Sequence, residues 1–302
     1  MDAPSEAARA ASARRTACGL LAAWLRLFKW RVVLLLLLAA TAGLFLGSGG
    51  QPDRSAFLSL LFVGGLAAAG ASAINEYLEL EADAQMARTR TRPLVTGAIG
   101  RSRWVLVVGA VLIIGPLLWA LPRNPALALW AGLGAVIYLG VYTLWLKPRT
   151  PLNVVIGGLA GSCAVLSGGA AANAWSDPGV LGLALLLFLW SPTHFWSLAL
   201  ACRDDYERVR VPMLPVVVAP RQAAMWNLIH AWGSAAVGLG LALHPALGLP
   251  YALVTLPGAG YMIARSLCLW LSPEERRAWR LFHASNFYLG LLLLTICVTA
   301  AL

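Results

Sequence analysis

Charge is scarce in this chain. Only 12% of its 302 residues are Asp, Glu, Lys or Arg, against 60% hydrophobic, and mean hydropathy is +0.74. That scarcity excludes an ordinary soluble domain, whose water-facing surface needs more polar side chains. Alternating ten-residue strands are absent too, which argues against a β-barrel. Only helices and closed barrels satisfy their backbone groups in lipid, so an all-α, polytopic bundle is expected. Cysteine patterns of the zinc or disulfide kind are missing. Cys18, Cys163, Cys202, Cys268 and Cys297 are scattered, with no CxxC pair, and read as small apolar packing residues. There is no GxGxxG after a strand, no Gly-rich GKS/GKT phosphate loop and no HExxH, which leaves out the nucleotide and zinc-protease sites those motifs build. No linker divides the chain, and no signal-peptide cleavage site follows the first apolar run, which reads as a retained helix.

What the chain does have is apolar runs of spanning length. Nine are expected, at roughly 30–48, 56–75, 103–121, 126–145, 153–172, 179–200, 223–243, 250–271 and 283–302. Short Pro- and Gly-marked turns separate them at Gly47 to Pro52, Pro122 to Pro125, Asp177 to Gly179 and His244-Pro245. Residues 1–25 are Ala/Arg-rich and are expected to be poorly ordered, ahead of a single domain over 26–302.

Net charge is +10, but its distribution argues against nucleic acid. With nine spans and a cytoplasmic N-terminus, 21 of the 23 Lys and Arg residues fall on the inner side, leaving Arg54 and Arg123 outside. Basic residues that merely stopped helices would populate both sides equally. The asymmetry is the positive-inside pattern and supports the nine-span count.

The acids are concentrated: seven of 13 lie in two inner stretches, as Glu76, Glu79, Glu81, Asp83, Asp204, Asp205 and Glu207. In the first stretch, Asn75, Glu79 and Asp83 fall within an arc of about 80° on a helix face. Such a stripe repels itself unless a cation lies against it, and all-oxygen donors suit Mg²⁺ bridged to phosphates. Arg88 and Arg92 follow, four residues apart, and guanidinium forks match phosphate oxygens. A mixed-charge loop taken alone is more often simply solvated, with its acids and bases paired. In the second stretch, Asp204, Asp205 and Tyr206 follow His194, which lies about two turns earlier and so ~10–15 Å deep. An ionisable residue inside a span is a functional candidate, the alternative being a neutral histidine bonded to a neighbouring helix. Trp145 and Lys147 after the fourth span are either interface anchors or, for Lys147, a phosphate contact. The Gly-rich stretch Gly157 to Gly169 allows either close helix packing or room for a flat ligand.

Taken in order, these segments resemble the UbiA superfamily of intramembrane prenyltransferases, and within it the protoheme IX farnesyltransferase (heme O synthase) branch. Asn75, Glu79 and Asp83 match its Asn-and-acid signature, and Arg88 to Leu94 its RTxxRPL run. Tyr142 to Asn153 match YTxWLKRxTPxN, Ser191 to Ser197 resemble PPHFWALA, and Asp205-Tyr206 with Val211 to Pro215 match DYxxAGVPMLP. Val209-Arg210 stands where the family has Ala-Gly, a position where glycine permits a special backbone angle. Cys163 to Leu166 replaces a Pro-rich portion, and Ser72 stands where some members have Asn.

The resemblance implies a Mg²⁺-dependent farnesyl transfer to a vinyl group of protoheme IX at a site facing the cytoplasm of a bacterial inner membrane. It implies that Asn75, Glu79, Asp83, Asp204 and Asp205 hold the metal. Arg88, Arg92 and Lys147 neutralise diphosphate, and His194 either positions the porphyrin or handles a proton. Farnesyl diphosphate, protoheme IX and membrane lipid are the expected partners, with heme A synthase or an oxidase-assembly protein as possible protein partners. One alternative is prenylation of a quinone or chlorin precursor by the same fold. Another is a proton-coupled transporter, which needs charges in several spans and paired broken helices; His194 and His230 fall within spans, but no buried acid pair does.

Overall fold

The computed structural model describes residues 19–100 and 103–302. No strand occurs among them. Nine helices of 17 residues or more run in series through the described residues: α1 Trp30–Gly47, α2 Arg54–Leu78, α3 Trp104–Ala120, α4 Pro125–Leu146, α5 Asn153–Ala171, α6 Pro178–Ala201, α7 Pro220–Gly240, α8 Gly248–Leu271 and α9 Glu275–Ala300. Seven of them are long and apolar enough to cross a membrane. The other two are α3, apolar but only 17 residues, and α7, which is long but carries Arg221, Gln222, Asn227 and His230. The protein is an integral membrane protein of helical build.

Helix starts follow local chemistry. Asp53 accepts the N–H groups of Ser55 and Ala56 to open α2, and Asp177 those of Gly179 and Val180 to open α6. Asn124 does the same for α4 through Leu127 N–H, and Pro fills the first turn of α4, α6 and α7. The last helix begins eight residues before the expected 283–302 run, because Glu275, Arg276, Arg277 and Arg280 ride on its polar first turns. Of the segment 1–25, residues 1–18 lie outside the described residues. Residues 19–27 are helical, and Ala23 and Leu27 are buried against Leu94, Ile99 and Val105.

Packing places α6 at the centre, against α1, α5, α7 and α9. The glycines of α1 and α5 let backbones touch. A Cβ on Gly168 would lie 1.8 Å from the Ala40 carbonyl oxygen, and one on Gly43 2.4 Å from that of Val165. Of the two uses the Gly-rich stretch allows, close packing is seen at Gly168. Large apolar side chains such as Val107, Val111, Leu129, Val136, Leu253 and Val298 stay exposed on the flanks, as lipid-facing residues do.

The two ends of the bundle are distinguishable by contact. At one, Lys29, the α2–α3 connection, Lys147 and the α6–α7 connection touch each other, and Arg221 stacks over Trp270 at the end of α8. We call it the basic end. At the far end, Asn124 bonds Ala170, Asp177 meets His244, and Gly50 abuts the Ala300 carbonyl.

Candidate active site

The site begins where α2 stops. α2 ends at Leu78, and a short helix Leu80–Gln85 restarts after Glu79. The i→i+4 bonding survives the join, with Glu79 N–H donating to Asn75 O at 3.0 Å and Asp83 N–H to Glu79 O at 2.8 Å. Asn75, Glu79 and Asp83 therefore keep one face, as their spacing predicts. Asn75 and Asp83 are buried, and Glu79 nearly so.

Each of the three has a cation on it. Lys29 donates to the Asn75 amide oxygen, Lys147 to Glu79, and Arg92 to Asp83 while lying 3.9 Å from Glu79. Lys29 reaches the site from a left-handed bend, φ 50° and ψ 49°, at the entrance to α1. Lys147 is aimed by a different device. The second half of α4, Ile137–Leu146, is a π-helix, and Lys147 N–H bonds the Tyr142 carbonyl five residues back. Its wider turn stacks Tyr138 on Tyr142 and brings Thr143 to Asn75 at 3.1 Å.

Burial lowers the Lys29 pKa to about 7, with Arg92 pushing the same way and Glu79 and Asp83 opposing. For Glu79, burial pushes up, but Lys147, Lys29 and Arg92 outweigh it and hold the carboxyl below its ordinary value. Arg92 and Lys147 are both half-buried, which pushes them down, yet their neighbours outweigh it and raise them above their ordinary values.

The loop after Asp83 is pinned over this face. Thr89 Oγ1 donates to the Asp83 carbonyl at 3.0 Å, and Leu94 N–H to Glu76 at 3.2 Å. Glu76 is thereby a strut under the Arg92-Pro93-Leu94 turn. The second acidic motif docks on the same loop. Asp205 accepts the Arg88 N–H at 3.4 Å and pairs with Arg208 at 2.9 Å, and Arg208 also bonds the Gln85 carbonyl at 3.1 Å. Tyr206 is buried with Met86, Trp196 and Met213 beneath it.

Not every expected residue joins. Asp204 is exposed, as is the Arg88 side chain, whose backbone N–H is what meets the second motif. His194 stands apart on α6, facing α9. Sequence reasoning missed Lys29, Tyr138 and Thr143. The first is, in sequence, one more basic residue just ahead of the first apolar run, and the other two only become polar-site residues once the π-helix sets their phase. Where glycine would permit a special backbone angle, Arg210 adopts a left-handed φ of 54°.

The chain's residues 36–292 match the model of the UbiA prenyltransferase family. This chain belongs to the UbiA prenyltransferase family. Among relatives, it is 39% identical over 279 residues to a protoheme IX farnesyltransferase of Sulfurisphaera tokodaii, covering 91% of this chain and 92% of that one. It is 40% identical over 305 residues to protoheme IX farnesyltransferase 1 of Saccharopolyspora erythraea, covering 99% and 96%. Solved UbiA-fold structures agree at the level of fold. A digeranylgeranylglyceryl phosphate synthase structure superposes with TM-score 0.77 at 19% identity, covering 93% of this chain and 99% of that one. A UbiA homolog from Archaeoglobus fulgidus, solved with GPP and Mg²⁺, gives 0.62 at 17%, covering 91% and 99%.

No group of three or more His, Cys, Asp or Glu converges as a metal cage among the described residues. The donor chemistry nevertheless fits Mg²⁺. All donors are oxygens, two carboxylates lie on one face, and that ion is ordinarily held by one or two carboxylates plus substrate phosphates.

Proposed function

We propose that the protein transfers a farnesyl group from farnesyl diphosphate to a vinyl group of protoheme IX, giving heme O and diphosphate. The observation carrying this is the cluster of Asn75, Glu79, Asp83, Arg92, Lys147 and Lys29, part-buried at one end of the bundle, in a chain 37–40% identical to proteins named for that activity. Asn75, Glu79, Asp83 and Asp205 would hold Mg²⁺, directly or through water, with Asp204 further out. When bound, that ion supplies positive charge to the departing diphosphate.

The rest follows from the chain's own residues. Arg92, Lys147 and Lys29, each resting on an oxygen donor, are preorganised to take over diphosphate oxygens as the substrate enters. Their charge favours the leaving group as the allylic C–O bond breaks and its electron pair goes to the diphosphate. The apolar interior keeps water from the allylic cation. The vinyl carbon attacks that cation, a C–C bond forms, and water adds to the remaining carbon with loss of one proton. The product is a hydroxyethylfarnesyl side chain, and the atoms balance.

The same reading puts nine spans in a bacterial inner membrane, N-terminus and site on the cytoplasmic side, in one domain over 26–302. The 21-to-2 division of basic residues supports it. Membrane lipid surrounds the domain, and a heme A synthase or oxidase-assembly protein is the partner class that fits the product. The test is purified protein with protoheme, farnesyl diphosphate and Mg²⁺, read by mass spectrometry, with chelator and Asp83→Ala controls. Farnesylated heme that needs both metal and Asp83 supports the assignment. Transfer only to an aromatic acceptor moves the protein to another branch, and no diphosphate release with any acceptor overturns it.

A further inference from the structure

We propose that His194 is an axial ligand to the iron of the porphyrin acceptor, holding the ring so that a vinyl edge meets the farnesyl carbon. The proposal rests on protoheme being the acceptor. Its own basis is the state of the two ring nitrogens.

His194 lies in α6, seven residues before its end at Ala201, so about 10 Å from the basic end by helical rise. Its ring is held by Trp190 and Phe282, each 4.5 Å away, with Phe195 edge-on at 5.0 Å. Nδ1 is 3.1 Å from Ser285 Oγ. That hydroxyl has one proton, and it goes to the Phe282 carbonyl at 2.8 Å in the first turns of α9. Ser285 Oγ is then the acceptor, so Nδ1 carries the hydrogen and Nε2 the lone pair. Ser285 is itself fixed, since its carbonyl accepts Trp190 Nε1–H at 2.8 Å.

Nε2 makes no hydrogen bond among the described residues, and the residue keeps 9% of its surface exposed. A neutral imidazole with one nitrogen tied to a fixed hydroxyl and the other bare is how proteins present histidine to a metal. His230 in α7 differs. Its Nδ1 is satisfied by its own helix at Trp226 O, 2.9 Å, and its ring meets Trp196 edge-on at 5.1 Å, with no hydroxyl from another helix on either nitrogen among the described residues. A histidine serving only to pack α6 on α9 would gain nothing from leaving Nε2 unpaired.

The experiment is binding without turnover. Detergent-solubilised protein, lacking farnesyl diphosphate, is titrated with ferric protoheme and separately with metal-free protoporphyrin IX. Absorbance and electron paramagnetic resonance report the iron's ligation. Wild type should give a histidine-ligated spectrum. His194→Gly should lose that spectrum and bind protoheme at least tenfold more weakly, with protoporphyrin binding unchanged, and added imidazole should restore the spectrum. Ser285→Ala should weaken protoheme binding by about tenfold, as loss of a partner that orients a ligand does. His230→Ala should change nothing. Farnesyl diphosphate binding, measured calorimetrically in each variant, verifies that the fold survives. A histidine spectrum persisting in His194→Gly, or equal loss of iron-bearing and iron-free porphyrin, overturns the ligand assignment and leaves the acceptor reading standing. Failure of wild type to bind either porphyrin overturns the acceptor reading itself, and this proposal with it.

Discussion

The two ends of the bundle use the same residue types for opposite purposes. At the far end, Asp53 and Asp177 each spend their carboxylate on the first N–H groups of a helix, and Asn124 does likewise. At the basic end, Glu79, Asp83 and Asp205 cap nothing. They are matched to Lys147 from the α4–α5 connection, to Arg92 farther along the α2–α3 connection, and to Arg208 one helical turn on. An acid that closes a helix has a local reason to exist. An acid withdrawn from water against a cation needs a different one, because bringing both out of water is costly. The difference separates architecture from chemistry without reference to any relative.

The sharpest way to break that division is to truncate matched acids at both ends. Asp83→Ala and Glu79→Ala should lower farnesyl transfer by about 10²–10³-fold, the scale of losing one preorganised electrostatic group. Asp53→Ala and Asp177→Ala should leave turnover intact and lower stability by about 1 kcal/mol each, the usual cost of losing an N-cap. Turnover and thermal unfolding of the same four preparations check both halves. Loss of transfer in Asp177→Ala would dissolve the distinction.

Packing between the ends gives the next largest effect. Gly168→Leu must push α1 away from α5, because even its Cβ would meet the Ala40 carbonyl. A cost of about 3 kcal/mol is expected, at the upper end for overpacking. Gly161→Ala, whose new methyl would only touch Leu187 at 3.6 Å, should be nearly neutral. Unfolding temperatures in detergent distinguish the two.

Lys29 sharpens the comparison at the basic end. Lys29→Met should reduce kcat/KM by about ten- to a hundredfold, the loss of one hydrogen bond to a charged group. Its pH behaviour follows from burial. The ordinary value of 10.5 falls to about 7, so the folded protein carries the charge below about pH 7 and loses it above. The unfolded chain keeps that proton up to its higher value, so stability rises with pH between the two. Diphosphate prefers the charged form, so KM for farnesyl diphosphate should rise as pH climbs through that window. Lys29→Arg, charged throughout, should flatten the profile. A profile unchanged by the substitution would remove Lys29 from the site.

How much of this is legible in the sequence depends on range. The long apolar helices are visible because hydropathy is a local sum, and the Asn75, Glu79 and Asp83 face because helical phase is local too. Contacts set by tertiary geometry are not. Nothing near Lys29 announces that a left-handed turn will carry it to Asn75. The choice of Asp205 over Asp204 hangs on the phase of a six-residue helix, Arg203–Arg208. Glu76 shares the acidic arc in sequence, but in the fold it supports the Leu94 turn. Thr143 and Lys147 meet the site only because α4 changes to a wider helix partway, which no hydrophobic period reveals.

The smallest effect is expected at Arg210, where sequence and fold disagree in an instructive way. The helix Arg203–Arg208 ends in the turn glycine usually makes: Val211 N–H bonds the Tyr206 carbonyl at 3.1 Å and Arg210 N–H that of Glu207 at 3.0 Å. The earlier of those two donor residues, position 210, must be left-handed, and here it is arginine at φ 54°. That conformation costs a residue with a Cβ roughly 1 kcal/mol. Glycine would relieve it but adds freedom to the unfolded chain, worth about 0.5–1 kcal/mol in the other direction. Arg210→Gly should therefore stabilise only slightly, by a few tenths of a kcal/mol, a rise of about 1 °C in a chain this size. Arg210→Ala keeps the strain and should not rise at all. Equal gains in the two variants would trace the effect to removal of charge beside Arg208, and the backbone argument for this turn would fail.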